Sequence, residues 1–399
     1  MLTPDSRSLF LFASNLTYLN HGGYGATPRS VLSEKKRILD EIEKNPMDFL
    51  SHKIRPQWHQ VAEKIASRLS LKPNSVAIVD NATDGIETVL RSLPLTAVDE
   101  ILITSMTYGA VAMAAQHIAA KQGAKVTVAE LRFPEPEPEQ CITAIAQTIT
   151  PRTKIAILDH ITSATALLMP LKEMIDVCRA RGVSVLVDGA HAPGQIELDI
   201  PALKADWYVG NLHKWYFVPR GCGFLWAAPG QESGLMPNVL SWDINQPFPS
   251  NFAWTGTRDP SNWLAIPAAF DFMDRLGESA VRKHNHQLIR NAIALLADMW
   301  KFRVSTPDTM TAAMTLVPGP EGLPYPATEE GRGRLEADLK DKHNIVLNPA
   351  FAHEGRIWLR MTAQIYNDLG DYEKLGKIVL ALRSNSGKRK PGPEATTTS

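Results

Sequence analysis

Two short segments place polar side chains directly after apolar, β-branched runs. The first is Val185-Leu-Val-Asp-Gly-Ala-His191, and the second is Asn211-Leu-His-Lys-Trp215. In an open α/β sheet, ligands collect beyond the carboxyl ends of the strands, so both groups should face one crevice. Asp188 would be partly buried there, where a carboxylate needs a cationic partner, and Lys214 offers a primary amine. The pair predicts a ligand that carries a positive charge and bonds covalently to an amine.

A protonated pyridinium nitrogen is a cation that suits Asp188, and an aldehyde on the same ring would form an imine with Lys214. Both features belong to pyridoxal 5′-phosphate (PLP), whose ring accepts electrons when its nitrogen is charged. Taken singly, an aspartate after a strand is most often a turn or capping residue, and a lysine is most often a solvated surface charge. The PLP interpretation therefore depends on these residues acting together with further motifs.

Apolar runs between residues 76 and 227 predict seven strands separated by helices. The predicted strands are Val76–Val79, Ile101–Thr104, Lys125–Ala129, Lys154–Leu158, Val183–Val187, Trp207–Gly210 and Gly223–Ala227. Helices are predicted at Arg55–Leu69, Asp84–Leu93, Tyr108–Lys121 and Lys172–Arg181. Strands that alternate with helices predict an α/β fold with a mainly parallel, seven-stranded sheet covered on both faces.

The C-terminal part mixes strands with helices and predicts a smaller α+β domain. Its predicted elements are a helical region Asn262–Phe302, strands Met314–Val317, Asn344–Leu347 and Ile357–Met361, and a charged helix Glu329–Asp341. We predict an N-terminal segment (1–25) that joins the small domain, a large domain (26–255), the small domain (256–383) and a disordered tail (384–399). Phe133–Glu139 alternates proline with glutamate, which indicates an exposed loop.

The composition is that of a globular protein and limits the choice of partners. Hydrophobic residues make up 44% and charged residues 21% of the chain, and 42 basic side chains balance 42 acidic ones. This balance favours a small-molecule partner over nucleic acid or an anionic membrane. Three cysteines share no metal-ligand spacing, so we expect no metal site. No apolar run approaches the roughly 18 residues of a membrane span, and we expect a cytoplasmic protein.

The two opening motifs resemble the class V aminotransferase superfamily of fold-type I PLP enzymes. Tyr18-Leu-Asn-His-Gly-Gly-Tyr-Gly25 is similar to the family's N-terminal segment, and Asn81-Ala-Thr-Asp-Gly85 is similar to its phosphate loop. Met47-Asp-Phe-Leu50, Asp159-His-Ile-Thr-Ser163 and Thr255-Gly-Thr257 resemble the isopenicillin N epimerase-like subgroup, which includes C–S lyases. The resemblance implies the fold-type I PLP-dependent transferase architecture, PLP as cofactor, and a homodimer with shared active sites.

The resemblance also implies contacts to the cofactor phosphate. Ala82 and Thr83 would donate hydrogen bonds to it, and the start of a helix is chemically suited to an anion; an ordinary helix cap is the alternative for Thr83. Asn211 and His213 occupy positions that also contact phosphate, although Ser or Thr is commoner at the first. Thr257 resembles a phosphate ligand supplied by the neighbouring subunit.

Further residues are expected around the cofactor ring. Tyr108 stands where the family usually has a stacking histidine, and a phenol ring stacks equally well; a simple core aromatic is the alternative. Ser163 matches a position, often Asn, that hydrogen-bonds the 3′-oxygen, and His191 would lie near the same oxygen. Asp188 would pair with the ring nitrogen, and Lys214 would hold the cofactor and then act as general base.

Arg360, within Ile-Trp-Leu-Arg-Met-Thr, resembles the arginine that clamps the substrate α-carboxylate in this superfamily. A planar guanidinium fits a carboxylate bidentately, so arginine suits this task better than lysine. Asn20 and His21 are expected to line the substrate mouth. Tyr24 and Tyr366 are conceivable acids, although most tyrosines are structural.

The bond changes that these enzymes catalyse begin with removal of the Cα proton. Reprotonation from the opposite face gives epimerisation, loss of a β-thiolate or sulfenate gives C–S lysis, and return of the proton to the cofactor gives transamination. The resemblance favours epimerisation, with C–S lysis next. The stretch 348–355 lacks the nucleophilic cysteine of the family's cysteine desulfurases, which argues against persulfide formation. A non-catalytic PLP-fold protein is disfavoured because it has no need of Asp188, Lys214 and Arg360 together.

Overall fold

The computed structural model describes residues 6–384, in which twelve strands form three sheets. The strands are β1 (Thr17–Tyr18), β2 (Val76–Val79), β3 (Glu100–Thr104), β4 (Lys125–Ala129), β5 (Thr153–Asp159), β6 (Ser184–Gly189), β7 (Trp207–Asn211), β8 (Gly223–Ala227), β9 (Met314–Pro318), β10 (Ile345–Val346), β11 (Asn348–His353) and β12 (Arg356–Thr362). The seven predicted strands of the large sheet are thus present, with ends that differ by at most one or two residues.

The largest sheet has seven strands in the order β2-β8-β7-β6-β5-β3-β4. The neighbours from β7 to β4 are parallel, whereas β8 runs antiparallel to both β2 and β7. Strands β6 to β8 are almost entirely buried, as β-branched and aromatic runs require in a sheet covered on both faces. The carboxyl ends of β5, β6 and β7 therefore meet at one edge.

Fourteen α-helices lie in the described part of the chain, and several of them pack against this sheet. They are α1 (His21–Tyr24), α2 (Arg29–Lys44), α3 (Pro46–Asp48), α4 (Ile54–Arg68), α5 (Ala82–Ser92), α6 (Gly109–Gln122), α7 (Pro138–Thr148), α8 (Leu171–Arg179), α9 (Ile200–Leu203), α10 (Ser261–Leu264), α11 (Ile266–Leu276), α12 (Glu278–Trp300), α13 (Glu329–His343) and α14 (Leu369–Ser384). Asn81 caps α5 by accepting a hydrogen bond from the amide of Asp84 at 3.0 Å. Among the described helices, none combines the length and apolarity that a membrane crossing requires.

A second hydrophobic core lies under the three-stranded antiparallel sheet β11-β12-β9. Leu359 of β12 packs there with Leu335 of α13 and Tyr372 of α14. The N-terminal segment joins this part of the molecule because β1 pairs in parallel with β10, and Leu19 is buried in the same core. These contacts bring the chain before α1 next to the C-terminal sheet.

The predicted fold-type I α/β architecture is confirmed, and local details differ from prediction. The helical region 262–302 is three helices, because Pro267 starts a new first turn and Gly277, at φ 80°, interrupts the chain before α12. The loop predicted at Phe133–Glu139 ends earlier, since α7 begins at Pro138, a residue suited to the first helical turn. Strand β11 had no counterpart among the predicted elements.

The division into domains stays a prediction. Two residues of α11, Ile266 and Met273, pack in the core of the large sheet, although the boundary at 256 assigned them to the small domain. Most of α12 packs in the second core instead. The proposed tail lies outside the described residues, except that Ser384 is the last residue of α14.

Candidate active site

A cavity of about 640 Å³ opens at the carboxyl edge of the seven-stranded sheet. Asp159, Asp188 and Asn211, at the ends of β5, β6 and β7, line it together with Lys214 and Arg360. The sheet brings the first three together because neighbouring parallel strands end at the same edge. The volume lies within the range of about 300–1,000 Å³ for small-molecule sites.

Most of the predicted site residues line this one cavity. They are Asn20, Ala82, Thr83, Tyr108, Ser163, Asp188, His191, Asn211, His213, Lys214 and Arg360. His21 and Thr257 are not among its lining residues. The sequence motifs, which span more than three hundred positions, therefore converge on a single site.

Lys214 follows β7 and is held beside a histidine. Its Nζ lies 3.1 Å from Nε2 of His191. Burial lowers the pKa of Lys214 to about 7; the carboxylate of Asp188 opposes this effect, and the charge of Arg360 adds to it. A substantial share of the amine is therefore neutral near pH 7, and the neutral amine is the form that attacks an aldehyde or accepts a proton.

His191 is a neutral neighbour of that amine. Burial lowers its pKa well below the usual range, and the positive charges of Lys214 and Arg360 lower it further. Its Nδ1 is buried without a hydrogen-bond partner among the described residues. Its carbonyl oxygen accepts a hydrogen bond of 2.7 Å from Nε2 of Gln195, which fixes the backbone at this point. Because His191 lines the cavity, this unpartnered nitrogen is available to an atom of a bound ligand.

Asp188 is the buried carboxylate that the sequence predicts at the end of β6. It is 3% exposed, and its Oδ1 accepts a hydrogen bond from the amide of Ala190 at 2.9 Å. Burial raises its pKa, while that amide and the charge of Lys214 act in the opposite direction. A carboxylate in this position gains most from a second positive charge placed directly against it.

His21 lies behind Lys214 rather than at the mouth of the cavity. Its Nε2 is 2.7 Å from the carbonyl oxygen of Lys214, and its Nδ1 is 2.8 Å from the hydroxyl of Tyr366. Since a carbonyl only accepts, Nε2 donates there and Nδ1 accepts from the tyrosine. Burial lowers the pKa of His21 to about 3, so the ring is neutral. The structure thus places His21 and Tyr366 as supports of the lysine backbone, not as the substrate contact and acid suggested by the sequence.

The first turn of α5 borders the cavity at another side. The amide of Ala82 donates a hydrogen bond of 2.8 Å to Oδ1 of Asn211. First-turn amides have no partner within the helix and carry partial positive charge, so the backbone around Thr83 is suited to an anion. His213 borders the same region, and its Nδ1 lies 2.9 Å from the carbonyl oxygen of Cys222. The predicted phosphate residues are therefore grouped, although Ala82 already has one acceptor.

Arg360 is a buried cation whose hydrogen bonds go to neutral groups. It is 4% exposed, donates to the carbonyl oxygen of Ser163 at 2.7 Å, and donates to Oδ1 of Asn20 at 3.1 Å. No carboxylate among residues 6–384 forms an ion pair with it, and its Nε has no hydrogen-bond partner there. Burial lowers its pKa to about 10, and nearby Tyr108 and Tyr24 partly offset this. A buried guanidinium without a counter-charge is suited to an incoming carboxylate.

Two aromatic residues stand at the mouth of the cavity. Tyr108 immediately precedes α6 and is 46% exposed, and Tyr24, at the end of α1, is 71% exposed. Neither side chain is a core aromatic, which removes the alternative interpretation for Tyr108. Stacking of Tyr108 on a cofactor ring stays a prediction.

Thr257 lies in a different surface depression, together with Met47, Arg55 and Trp254. The next residue, Arg258, forms an ion pair with Asp80, which borders the cavity. Within one chain Thr257 therefore does not line the site. Its predicted contact with phosphate requires a second copy of the chain.

The lining residues that were not predicted as part of the site include Asp159, Glu336 and Asn348. Asp159 follows an apolar strand in the same way as Asp188, and this pattern could have identified it. Glu336 of α13 and Asn348 of β11 come from the C-terminal part of the chain, where no local pattern marks them. Tertiary packing alone brings these two to the cavity.

Comparisons with known proteins agree with this geometry. The sequence model of the aminotransferase class-V family matches residues 17–318. The chain belongs to this family. Because the family depends on PLP, the chain is a PLP-dependent enzyme, and the cofactor predicted from the motifs is confirmed.

The relatives carry more than one activity. Isopenicillin N epimerase of Streptomyces clavuligerus is 31% identical, over 95% of this chain and 98% of its own length. L-cysteine desulfhydrase of Arabidopsis thaliana is 28% identical, over 91% of this chain and 87% of its own. A solved structure of a C-DES mutant, with glycine covalently linked to the PLP cofactor, matches with a TM-score of 0.81 and 23% identity, covering 94% of this chain and 99% of that one. The predicted resemblance to the epimerase-like subgroup is confirmed, and the reaction is left between an epimerase and a C–S lyase.

Proposed function

We propose that this chain removes the Cα proton of an amino acid or an amino-acid-containing substrate, with Lys214 as cofactor-linking residue and base. The proposal rests on one observation: a single cavity holds a buried carboxylate, a lysine with a pKa of about 7, and a buried arginine without an acidic partner. The carboxylate suits a pyridinium nitrogen, the amine suits an aldehyde, and the guanidinium suits a substrate carboxylate.

The residues present fit PLP in a definite orientation. Asp188 would hold the charged ring nitrogen, Lys214 would bond to the aldehyde carbon, and the first turn of α5 would receive the phosphate. The other residues proposed to contact the cofactor are Ala82, Thr83, Tyr108, Ser163, His191, Asn211 and His213, with Thr257 from a second copy. When bound, PLP supplies an electron sink for the charge that develops at Cα.

Lys214 acts on the substrate after its amine is released. A pKa of about 7 is close to the best value for a base that works at neutral pH. Nε2 of His191 lies within hydrogen-bond distance of Nζ, at 3.1 Å, and so keeps the amine directed within the cavity. Arg360 and Asn20 fix the substrate carboxylate, and this fixes which Cα bond faces the base. Asp188 and Arg360 are almost fully buried, so little water reaches them. Their electrostatic interactions with bound groups are therefore stronger than they would be in solvent.

We favour epimerisation as the overall reaction. The Streptomyces epimerase aligns with 95% of the chain at 31% identity, whereas the plant desulfhydrase aligns with 91% at 28%. In this proposal the proton that Lys214 removes is replaced from the opposite face. Tyr24, exposed at the mouth of the same cavity, is available as an acid for that second step.

C–S lysis is the second candidate, because the plant desulfhydrase aligns over 91% of the chain. The same Cα deprotonation by Lys214 would then be followed by loss of a sulfur leaving group from the β-carbon. Transamination would need the proton to return to the cofactor, and neither the epimerase nor the desulfhydrase is named for that reaction. All three outcomes use Asp188, Lys214 and Arg360 in the same roles.

One experiment separates these reactions. Holoenzyme is incubated in D₂O with a panel of amino acids, peptides with a free amino-acid end, and cysteine conjugates, and the products are followed by mass spectrometry and chiral chromatography. Cα deuteration with the opposite antipode identifies the epimerase, and pyruvate with a sulfur product identifies the lyase. Lys214→Ala is the control and should show neither. Absence of Cα exchange with every substrate, in protein saturated with PLP, would contradict the proposal.

We also propose a homodimer in which each copy completes the other's site. Met47 and Trp242 are 76% and 85% exposed, and they line the same depression as Thr257. Large apolar side chains exposed together mark an interaction surface. Light scattering should give twice the chain mass of 44.0 kDa, and Trp242→Asp should shift the protein to monomers that lose PLP. A fully active monomer would contradict this proposal.

We further propose that the protein works in the cytoplasm. Cys141, Cys178 and Cys222 are free and buried, as in proteins of a reducing compartment. Burial raises the pKa of Cys141 to about 11 and that of Cys178 to about 12, so these thiols stay protonated and unreactive. Cell fractionation with an antibody to the native protein tests this location.

A further inference from the structure

A second carboxylate lies beside Asp188. Strands β5 and β6 are parallel neighbours, and Asp159 is in register with Asp188 at their carboxyl ends. Neighbouring strands lie about 4.8 Å apart, and residues in register point to the same face. Both aspartates are 3% exposed and both line the cavity. Two carboxyl groups are thus side by side in a space that excludes most water.

Two buried carboxylates on neighbouring strands oppose each other's ionisation, because each raises the cost of charging the other. The surroundings of the two groups decide which one keeps the proton. Asp188 receives the amide of Ala190 and the positive charge of Lys214, and both favour its ionised form. Burial raises the pKa of Asp159 well above the usual range, and the charge of Asp188 raises it further. The groups that oppose this are neutral donors, namely Thr107 and the amides of Asp159 and Tyr108.

The other ionisable groups around the pair do not change which of the two carboxyl groups keeps the proton. Burial and the charge of Asp188 raise the pKa of Tyr208 well above its usual range, so this phenol is neutral. The ring of His160 is hydrogen-bonded to that phenol at 2.9 Å, and burial lowers its pKa to about 4, so it is neutral too. Lys214 is therefore the cation that acts on the pair, and it acts on Asp188.

Other buried acids of this chain have their oxygens bonded to the protein, whereas one of the two oxygens of Asp159 has no such partner among the described residues. Asp206, which is 9% exposed, accepts a hydrogen bond of 2.7 Å from the amide of Val185. Glu100, which is 3% exposed, is bonded to Thr150 and Arg152. Oδ2 of Asp159 is buried and has no partner among the described residues. An unpartnered oxygen at the wall of a ligand cavity indicates that Asp159 serves the ligand rather than the fold.

We propose that Asp159 is a positioning residue that carries the proton of the Asp159–Asp188 pair and leaves Asp188 with the single negative charge that matches one ring nitrogen. This inference rests on the proposed pairing of Asp188 with that nitrogen. Without the proton on Asp159, the site would hold two negative charges against one positive charge. The pair therefore sets the net charge of the part of the cavity that would hold the ring nitrogen of the cofactor.

Infrared spectroscopy of holoenzyme containing ¹³C-labelled aspartate tests the proton directly. At pH 7 we expect a carbonyl band of a protonated carboxyl group that shifts with the label and with deuterium exchange. Asp159→Asn, a neutral isostere, should remove the band, and the matched variant Asp206→Asn should leave it. Absence of the band from labelled wild-type protein overturns the inference even if no variant folds.

Cofactor affinity supplies the second measurement. Wild-type protein should prefer PLP over the analogue in which CH replaces the ring nitrogen. Asp159→Asn should keep this preference within about threefold, while Asp188→Asn should reduce it at least about tenfold, the loss of one charged hydrogen bond. If Asp159→Asn and Asp188→Asn lose the preference for PLP to the same extent, Asp159 also carries negative charge towards the ring nitrogen, and the inference is overturned. A preference unchanged in Asp188→Asn contradicts the proposed function itself, because the ring nitrogen then lies elsewhere.

Discussion

The two sheets that enclose the cavity contribute to it in different ways. The seven-stranded sheet supplies several polar groups at adjacent strand ends, and these are tied to the protein: Asp188 to the amide of Ala190, and Asn211 to that of Ala82. The three-stranded sheet supplies one charged side chain, Arg360, whose hydrogen bonds go to neutral oxygens. In the proposed function the first sheet holds the cofactor, which stays bound, and Arg360 of the second sheet binds the substrate, which is exchanged in each turnover. Changes at the two sheets should therefore have separable effects.

The largest effect is expected at the first sheet, from Lys214→Ala. Turnover should fall at least about 10³-fold, because the substitution removes both the covalent anchor and the base. The visible absorbance of lysine-bound cofactor should vanish. Lys36→Ala, on the exposed face of α2, is the matched control and should change neither. Retention of the visible band without Lys214 would refute its assignment.

A change at the second sheet, Arg360→Ala, should raise KM roughly 100-fold, since charged hydrogen bonds contribute about 1.5–3 kcal/mol each. Arg360→Lys should have a smaller effect, because the ammonium keeps the charge and loses the planar fork. Cofactor absorbance and PLP affinity should stay as in wild type. The control is Arg356→Ala on the same strand, whose side chain bonds to the carbonyl oxygen of Gly319. Loss of PLP from either Arg360 variant would show that the second sheet also holds the cofactor, contrary to the separate roles proposed for the two sheets.

Gly25→Ala tests the backbone packing that holds the Lys214 segment beside the first sheet. Gly25 has φ 69° and ψ 167°, a conformation open almost only to glycine, and an added Cβ would lie 2.0 Å from the carbonyl oxygen of His213. The free energy of unfolding should fall by about 2 kcal/mol or more, and PLP should dissociate faster because the clash displaces the Lys214 segment. Gly109→Ala, where a Cβ meets nothing within 4 Å, should change stability by no more than about 0.5 kcal/mol. Denaturant titration of both variants measures the difference.

The smallest expected effect is a shift in pH dependence. Because burial lowers the pKa of Lys214 to about 7, its reactive neutral form is abundant above that pH and is lost below it. The rate of PLP capture by apoprotein should therefore rise with pH around a midpoint near 7. In Asp188→Asn the midpoint should move to lower pH, since the negative charge of Asp188 supports the ammonium. Stopped-flow absorbance gives both midpoints, and a wild-type midpoint near about 10.4, the value of a solvated lysine, would contradict the buried amine.

Local patterns made much of the first sheet predictable. Short apolar runs rich in β-branched residues, such as Val185–Val187, favour buried strands, and polar residues directly after such strands are expected at the sheet edge. Asp188, Asn211 and Lys214 could be placed in one site on this basis. Asp159 obeys the same rule, because it directly follows the apolar run of β5, and the strand-end pattern could have placed it in the same site.

The second sheet was less predictable, because its contribution depends on contacts between distant parts of the chain. Arg360 was identified from a family motif, yet its bond to the carbonyl oxygen of Ser163 spans 197 positions. The role of His21 depends on the carbonyl oxygen of Lys214, 193 positions away, and on the hydroxyl of Tyr366. No local pattern distinguishes a histidine that supports a backbone from one that faces a substrate.

The sequence by itself determined the alternation of buried strands and helices, the α/β class, and the polar strand ends that carry the chemistry. Each of these follows from apolar periodicity and from the chemistry of single residues, which are local properties. The tertiary structure alone decided that Asp159 and Asp188 stand in register, that His21 supports Lys214 from behind, and that Thr257 lies outside its own chain's cavity. These facts depend on strand order and on the packing of two separate cores, which bring together residues that no periodicity connects.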